Sequence, residues 1–227
     1  PSMEALLADL ERDHSRRPAL LLAAAIFVLS ASLGWALVGS REDPCADAAA
    51  ALSEVWSPEH HERIHAAFRG STRPYAEASW SAVDAALTDY ARTWTNQRVS
   101  LCQATRDPQP GPQVDARSLC LEHRRQEFGA LVELLTRADG AVVDHAVQAA
   151  AQLQPVAVCH DIEALLARAA PPPPPALAHG AAMVDQRLAE VQAREQTGQI
   201  AEGVELAGAA VSDARALGHA PLVAEAL

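Results

Sequence analysis

From Pro18 to Ser40 the chain runs for 23 residues without a charge, PALLLAAAIFVLSASLGWALVGS. A helix of that length extends roughly 34 Å at ~1.5 Å per residue, enough to cross a hydrocarbon layer of ~30 Å with some tilt. No charged residue interrupts the stretch, which separates it from a buried core helix. It is also longer than the apolar region of a cleaved signal peptide, and a helical pattern precedes it. Arg12, Arg16 and Arg17 lie on its N-terminal side, whereas Glu42 and Asp43 follow Arg41. That arginine bias predicts a cytoplasmic N-terminus and an extracytoplasmic (periplasmic) location for residues after 40, with Trp35 as an interfacial anchor. The expectation is a single-pass membrane protein.

The remainder reads as helix. Fifty of the 227 residues are alanine, no lysine occurs, and all 18 basic residues are arginine. Ala, Arg, Leu and Glu lose little rotamer freedom in a helix, and β-branched runs with glycine turns are missing. The net charge of -11 argues against a phosphate-binding surface, so no nucleic-acid partner is expected. The predicted class is all-α: one transmembrane helix, an extracytoplasmic helical domain over 41–170, a Pro-rich linker over 171–179, and a helical array that starts at 180 and runs to 227. The chain opens Pro1-Ser2-Met3 and stops within a helical pattern, and is expected to be a piece of a longer protein.

Within 41–170, Cys45 to Val55 reads as an Ala-rich helix ending at Trp56. Ser57-Pro58-Glu59 restarts helix, with a capping serine, proline at the first helical position and an acid in the first turn. That segment reaches about Phe68 and breaks at Gly70-Ser71-Thr72-Arg73-Pro74. A long third helix keeps Trp80, Val83, Leu87, Tyr90, Trp94 and Leu101 on one face, as core rather than a ligand box. Asp107-Pro108-Gln109-Pro110-Gly111-Pro112 stops it. A fourth helix carries Leu121, Phe128, Leu131 and Leu135 and ends at Asp139-Gly140. Shorter pieces continue to Leu153 and from Asp161 to Ala169. Pro171 to Pro175 forms a semi-rigid spacer. Beyond it, Ala181–Gln196 and Gln199–Leu217 make a helical hairpin around Thr197-Gly198.

Cys45, Cys102, Cys120 and Cys159 all follow the apolar stretch. An even count on the oxidising side predicts two disulfides. Of three connectivities, an antiparallel helix pair meeting at the Pro-rich turn favours Cys102 with Cys120, which leaves Cys45 for Cys159. No C-x-x-C occurs, so structural zinc and covalent haem are not expected. His61-Glu62-Arg63-Ile64-His65 fits H-E-x-x-H, in which histidines one turn apart hold Zn²⁺ and the intervening Glu acts as general base. A third ligand is missing at the usual spacing, since Ser71 occupies that place, and neighbouring Glu59 and His60 suggest a solvated face. No metal, catalytic or cofactor residue is therefore assigned; a zinc hydrolase using His61, Glu62 and His65 is the lesser alternative.

Two local patterns and one overall order carry a resemblance. Pro1-Ser2-Met3 with Leu6, Leu7 and Leu10 resembles the closing helix of the C-terminal lobe of bacterial receptor-type Ser/Thr protein kinases, so 1–17 is expected to be that helix and a juxtamembrane segment before the span at 18–40. Gly198, Ile200, Gly203 and Ala210 resemble the tetratricopeptide pattern, although Gly203 stands where Ala is usual and the preceding helix lacks the family's aromatic signature. Leu217-Gly218-His219-Ala220-Pro221-Leu222 reads as the start of another repeat. Because about three repeats are needed to bury their own faces, the array is expected to continue. Cys45, Trp56, Pro74-Tyr75-Ala76-Glu77, Trp80, Trp94, Cys102, Cys120 and Cys159 follow in the order of landmarks in membrane-anchored myxobacterial-type Ser/Thr kinases with tetratricopeptide repeats. The resemblance implies a parent that transfers phosphate from ATP with Mg²⁺, none of whose catalytic residues occur in this chain. It implies a transmembrane and extracytoplasmic sensor or scaffold, with protein or peptide partners held by the repeats and self-association left open. A membrane-anchored, non-enzymatic tetratricopeptide binding protein is the alternative.

Overall fold

The computed structural model describes residues 45–105, 111–168 and 171–227, which belong to one compact unit, Cys45–Leu227. The expected kinase-type helix over 1–17 and the expected span over 18–40 lie outside these residues. Among the described residues every regular element is helical.

A short α1, Ala46–Ala50, follows Cys45. The Ala-rich stretch unwinds sooner than expected: residues 51–55 form turns in which Val55 and Trp56 donate to the Leu52 carbonyl. Helix α2 is Pro58–Gly70, and the start signal acts as read, with Ser57 Oγ accepting from His60 N–H and Pro58 at the first turn. Thr72, at a φ of 59°, makes the tight bend into α3, Ala76–Ala104. Helix α4 is Pro112–Leu135 and α5 is Gly140–Gln152. Asp139 caps α5 by accepting from Val142 N–H at 2.9 Å, so the Asp-Gly pair opens α5, whereas α4 has already ended at Leu135 with Thr136 as its C-cap and not at Asp139-Gly140 as expected. A 3₁₀ turn over Val156–His160 leads to α6, Ile162–Arg168. Residues 171–174 lead through a 3₁₀ turn, Pro175–Leu177, into α7, Ala178–Gln196, which turns through Thr197-Gly198 into α8, Ile200–Leu217; α9 is Ala220–Ala226.

Helices α3, α4 and α5 form the centre, with α1 and α2 packed on α3, and α6 and α7 packed on α4. The core holds Ile64, Phe68, Val83, Leu87, Trp94, Leu121 and Phe128, each 0–1% exposed. Trp94 Nε1–H donates to the Leu121 carbonyl at 2.7 Å, joining α3 to α4 from inside. Tyr90 stacks on Phe128 with ring centroids 5.2 Å apart, and its hydroxyl donates to the Gln154 carbonyl at 3.1 Å. Helix α7 reaches this core through Ala193, while Ala181, Val184, Ala214 and Leu222 make a smaller cluster with α8 and α9. The proline run therefore connects parts of one compact unit. A helical hairpin followed by a third helix is what the C-terminal part contains; a repeat array is not shown by it.

Two expectations are corrected. The first is the disulfide pairing: Cys45 joins Cys102 and Cys120 joins Cys159, with Cα atoms 5.8 and 5.6 Å apart. Helical rise explains why Cys102 and Cys120 do not meet. Cys120 lies about 12 Å along α4 from Pro112, but Cys102 only about 3 Å from the end of α3, at ~1.5 Å per residue. That offset exceeds the ~4.4–6.8 Å between Cα atoms that a disulfide spans. The second is the single-pass placement. Among the described residues no helix is long and apolar enough to cross a membrane. Helix α3 has the length, at 29 residues, but Glu77, Asp84, Asp89, Arg92 and Arg98 punctuate it. The two disulfides favour an oxidising compartment.

Candidate functional site

Chemistry-bearing side chains converge where α4, α7 and α9 meet. Helix α4 presents His123, Gln126 and Glu127 on one face, and α7 presents Asp185, Leu188, Ala189 and Gln192 at the spacing of one helical stripe. Glu225 comes from α9, and together these residues line a cleft of about 160 Å³. His123 Nε2 stands 3.9 Å from Asp185 Oδ2, an ion-pair contact too long for a hydrogen bond. One ligand atom each from His123, Asp185 and Glu225 lies within 4.8 Å of the others.

Charge in the cleft is unevenly answered. The Asp185 carboxylate, helped by Glu225, holds the His123 imidazole protonated above its ordinary range, while desolvation and Arg124 act the other way. Burial pushes the Glu127 carboxyl up, opposed by Arg124 and His123. Glu127 Oε1 pairs with Arg124 Nη2 at 2.9 Å, but its Oε2 is shut off from solvent with no hydrogen-bond donor. An imidazole and two carboxylates from three helices make a donor set for a divalent cation; they do not include a nucleophile.

A second cleft, of about 330 Å³, runs between α4 and α7 past Gly129, Ala130 and Leu134. Its cations are all engaged within their own helices or the adjoining turn: Arg125 with Glu122, Arg137 with Glu133, and Arg194 with Glu190 and Gln199. The pairing with Arg125 holds the Glu122 carboxyl below its usual range. Such a groove offers shape and paired charge, without a surplus that would draw an anionic ligand.

The H-E-x-x-H residues are spent elsewhere. His61 Nδ1 faces Asp84 at 2.8 Å and packs on the Trp56 ring, and His65 Nε2 pairs with Glu77 at 3.0 Å while stacking on Trp80. Glu62 points to solvent. Both histidines thus dock α2 onto carboxylates of α3, and His61, Glu62 and His65 are not brought together around a common point. All four cysteines are in disulfides. His123, Asp185 and Glu225 escaped sequence reading because no local spacing joins them; only the packing of α7 on α4, and of α9 on α8 and α7, does.

No protein-family model, curated protein or solved structure matches the chain.

Proposed function

We propose that this chain is a non-catalytic, disulfide-braced helical module that binds protein partners. It would serve as the sensor or scaffold portion of a larger bacterial Ser/Thr protein kinase of the type that its N-terminal residues resemble. The observation that carries the reading is an apolar stripe without cover on α8. Ile200 is 55% and Val204 68% exposed, one helical turn apart, and Val211 continues the same stripe half-buried. The stripe borders the buried one made by Gly203, Ala210 and Ala214, so it extends the packed face of the hairpin instead of standing alone. Large apolar side chains grouped on one exposed face are what protein interfaces use. The tetratricopeptide resemblance of the same helix fits this use, because such hairpins present helix faces to peptides or to further helices. ATP and Mg²⁺ belong to the supposed kinase domain, and no residue here is assigned to them.

The test places a photo-crosslinking residue at Val204 in the protein expressed in its own cells. A single dominant protein adduct is expected, and the purified partner should bind the chain saturably. Ile200→Asp with Val204→Asp should weaken that binding at least about tenfold while leaving the helical signal intact. Absence of an adduct, or binding unchanged in the double variant, would overturn the interaction reading. The kinase part is tested by the reading frame upstream of Pro1. A Gly-rich loop, a strand lysine, a catalytic-loop Asp and Asn and a metal-binding Asp are expected there, and their absence would remove it.

A further inference from the structure

We propose that His123, Asp185 and Glu225 form a binding site for one divalent cation of the zinc class, which staples α7 and α9 to α4. This inference is independent of the interaction reading. Three donors from three helices face one another with ligand atoms mutually within 4.8 Å. Zinc bonds of about 2.0–2.2 Å in a tetrahedral arrangement put donor atoms roughly 3.3–3.6 Å apart. The 3.9 Å between His123 Nε2 and Asp185 Oδ2 needs only a small closure. Glu225, exposed on a short helix, has the rotamer freedom to complete the triangle.

The charge of the cleft also points to a cation. Arg124 already answers Glu127, which leaves the carboxylates of Asp185 and Glu225 against the single imidazole of His123. A dication balances this excess of acid. A space of about 160 Å³ accommodates an ion and a water on its fourth position. The donor set selects the metal: Mg²⁺ and Ca²⁺ take oxygen ligands and prefer six or more, whereas an imidazole with two carboxylates and an open position suits Zn²⁺.

The experiment titrates Zn²⁺ into the full chain after dialysis against chelator, followed by calorimetry and thermal unfolding. One equivalent should bind and raise the Tm, and Mg²⁺ or Ca²⁺ at the same concentration should not replace it. His123→Gln and Asp185→Asn should each weaken binding at least about tenfold, on the scale set by loss of groups that support a metal. His61→Ala with His65→Ala should leave the affinity unchanged. Circular dichroism of the apo variants separates loss of the site from loss of the fold, and Asp185→Asn stands in if His123→Gln fails to fold. Cobalt substituted for zinc should show the strong visible absorption of a four- or five-coordinate site that disappears in the variants. Sub-stoichiometric binding, unchanged affinity in both cleft variants, or loss of binding in the His61/His65 variant would each overturn the proposal.

Discussion

Trp94 joins two kinds of stabilisation in one side chain, burying its ring at 1% exposure while its indole N–H donates to the Leu121 carbonyl at 2.7 Å. Trp94→Phe keeps much of the apolar area but removes the donor inside the α3–α4 interface. Losing one partner of a buried hydrogen bond costs about 1–3 kcal/mol, and the smaller ring adds a cavity. Urea unfolding should show that loss as a lower midpoint at unchanged slope; a change below about 0.5 kcal/mol would mean that the indole bond contributes little. Asp144 makes a different kind of link, at the surface. Its carboxylate accepts from the Tyr75 hydroxyl and pairs with Arg73 Nη2 at 2.6 Å, while Arg73 Nε–H donates to the Gly140 carbonyl at 3.2 Å, so the bend before α3 is held against the start of α5. The Tyr75 hydrogen bond, with Arg73, keeps the Asp144 carboxyl below its ordinary range, and the same bond raises the Tyr75 phenol. A depressed folded-state value means stability that is present above the ordinary carboxylate range and is lost as pH falls through the lowered value. Exposure to solvent keeps that amount small, so the quantity to read is the titration itself. Carboxyl carbon NMR should find Asp144 protonating at lower pH than a free aspartate, and Tyr75→Phe should move it back up. Identical titration curves in the two proteins would remove the hydroxyl as the cause.

At the level of elements the disulfides and the glycines of the hairpin make the sharpest expectations. Cys45–Cys102 closes 57 residues and Cys120–Cys159 closes 39. Loop-closure entropy gives each about 4 kcal/mol, the longer exceeding the shorter by only about 0.3 kcal/mol. Replacing either pair with serine should therefore lower stability by similar amounts, and peptide mapping in acid without reductant should recover these two linkages; a Cys102–Cys120 linked peptide would contradict the fold. In the hairpin, Gly203 sits inside α8 with negative φ, and an added Cβ would meet Arg194 Cβ at 3.7 Å, an ordinary contact. Gly203→Ala should stabilise by about 0.5–1 kcal/mol. Gly198 is the opposite case: its φ is +79° and an added Cβ would come within 2.7 Å of the His145 ring in α5, so Gly198→Ala should destabilise by at least about 1 kcal/mol. Equal and small effects at both positions would refute the assigned turn. These elements also show what the sequence exposes. Ser57-Pro58-Glu59, Asp139 and Thr197-Gly198 announce helix ends because capping and left-handed turns are local, decided by a few adjacent residues. The face of Val83, Leu87, Trp94 and Leu101 is equally visible, since helical periodicity repeats along the chain. The early end of α1 was not visible, because alanine favours helix whether or not tertiary packing lets it continue. Disulfide pairing depends on the axial offset between helices, and the His123, Asp185 and Glu225 cluster on the docking of α9; neither quantity is written in local spacing.

Across the whole unit, apolar burial is distributed unequally. Trp94, Phe68, Phe128 and Ile64 are all in the large cluster around α3, α4 and α5, to which both disulfides are also attached. The C-terminal cluster of Ala181, Val184, Ala214 and Leu222 is small both in number and in side-chain size. Stabilisation scales with apolar area removed from water, about 25 cal/mol per Å², so alanine-lined packing between α8 and α7 contributes much less than the Trp- and Phe-lined centre. Helix α7 belongs to both, giving Ala193 to the centre and Ala181 and Val184 to the smaller cluster. The ion pair of Arg187 with Asp213 joins α7 to α8 at the surface, where such contacts add little. Opening should therefore proceed from the C-terminus inward: α8 and α9 detach in a local transition, α7 follows, and the centre unfolds last. Native-state hydrogen exchange should show amides of α8 and α9 at least about tenfold less protected than those of α3 and α4, with α7 between them. Mild denaturant should lower the protection of α3 and α4 steeply and that of α8 only weakly, because the local opening exposes little surface. Uniform protection across all these helices would mean that α8 and α9 are coupled to the centre as tightly as α3 is to α4. In that case the small alanine-lined cluster would have to be reinforced by contacts stronger than its own packing.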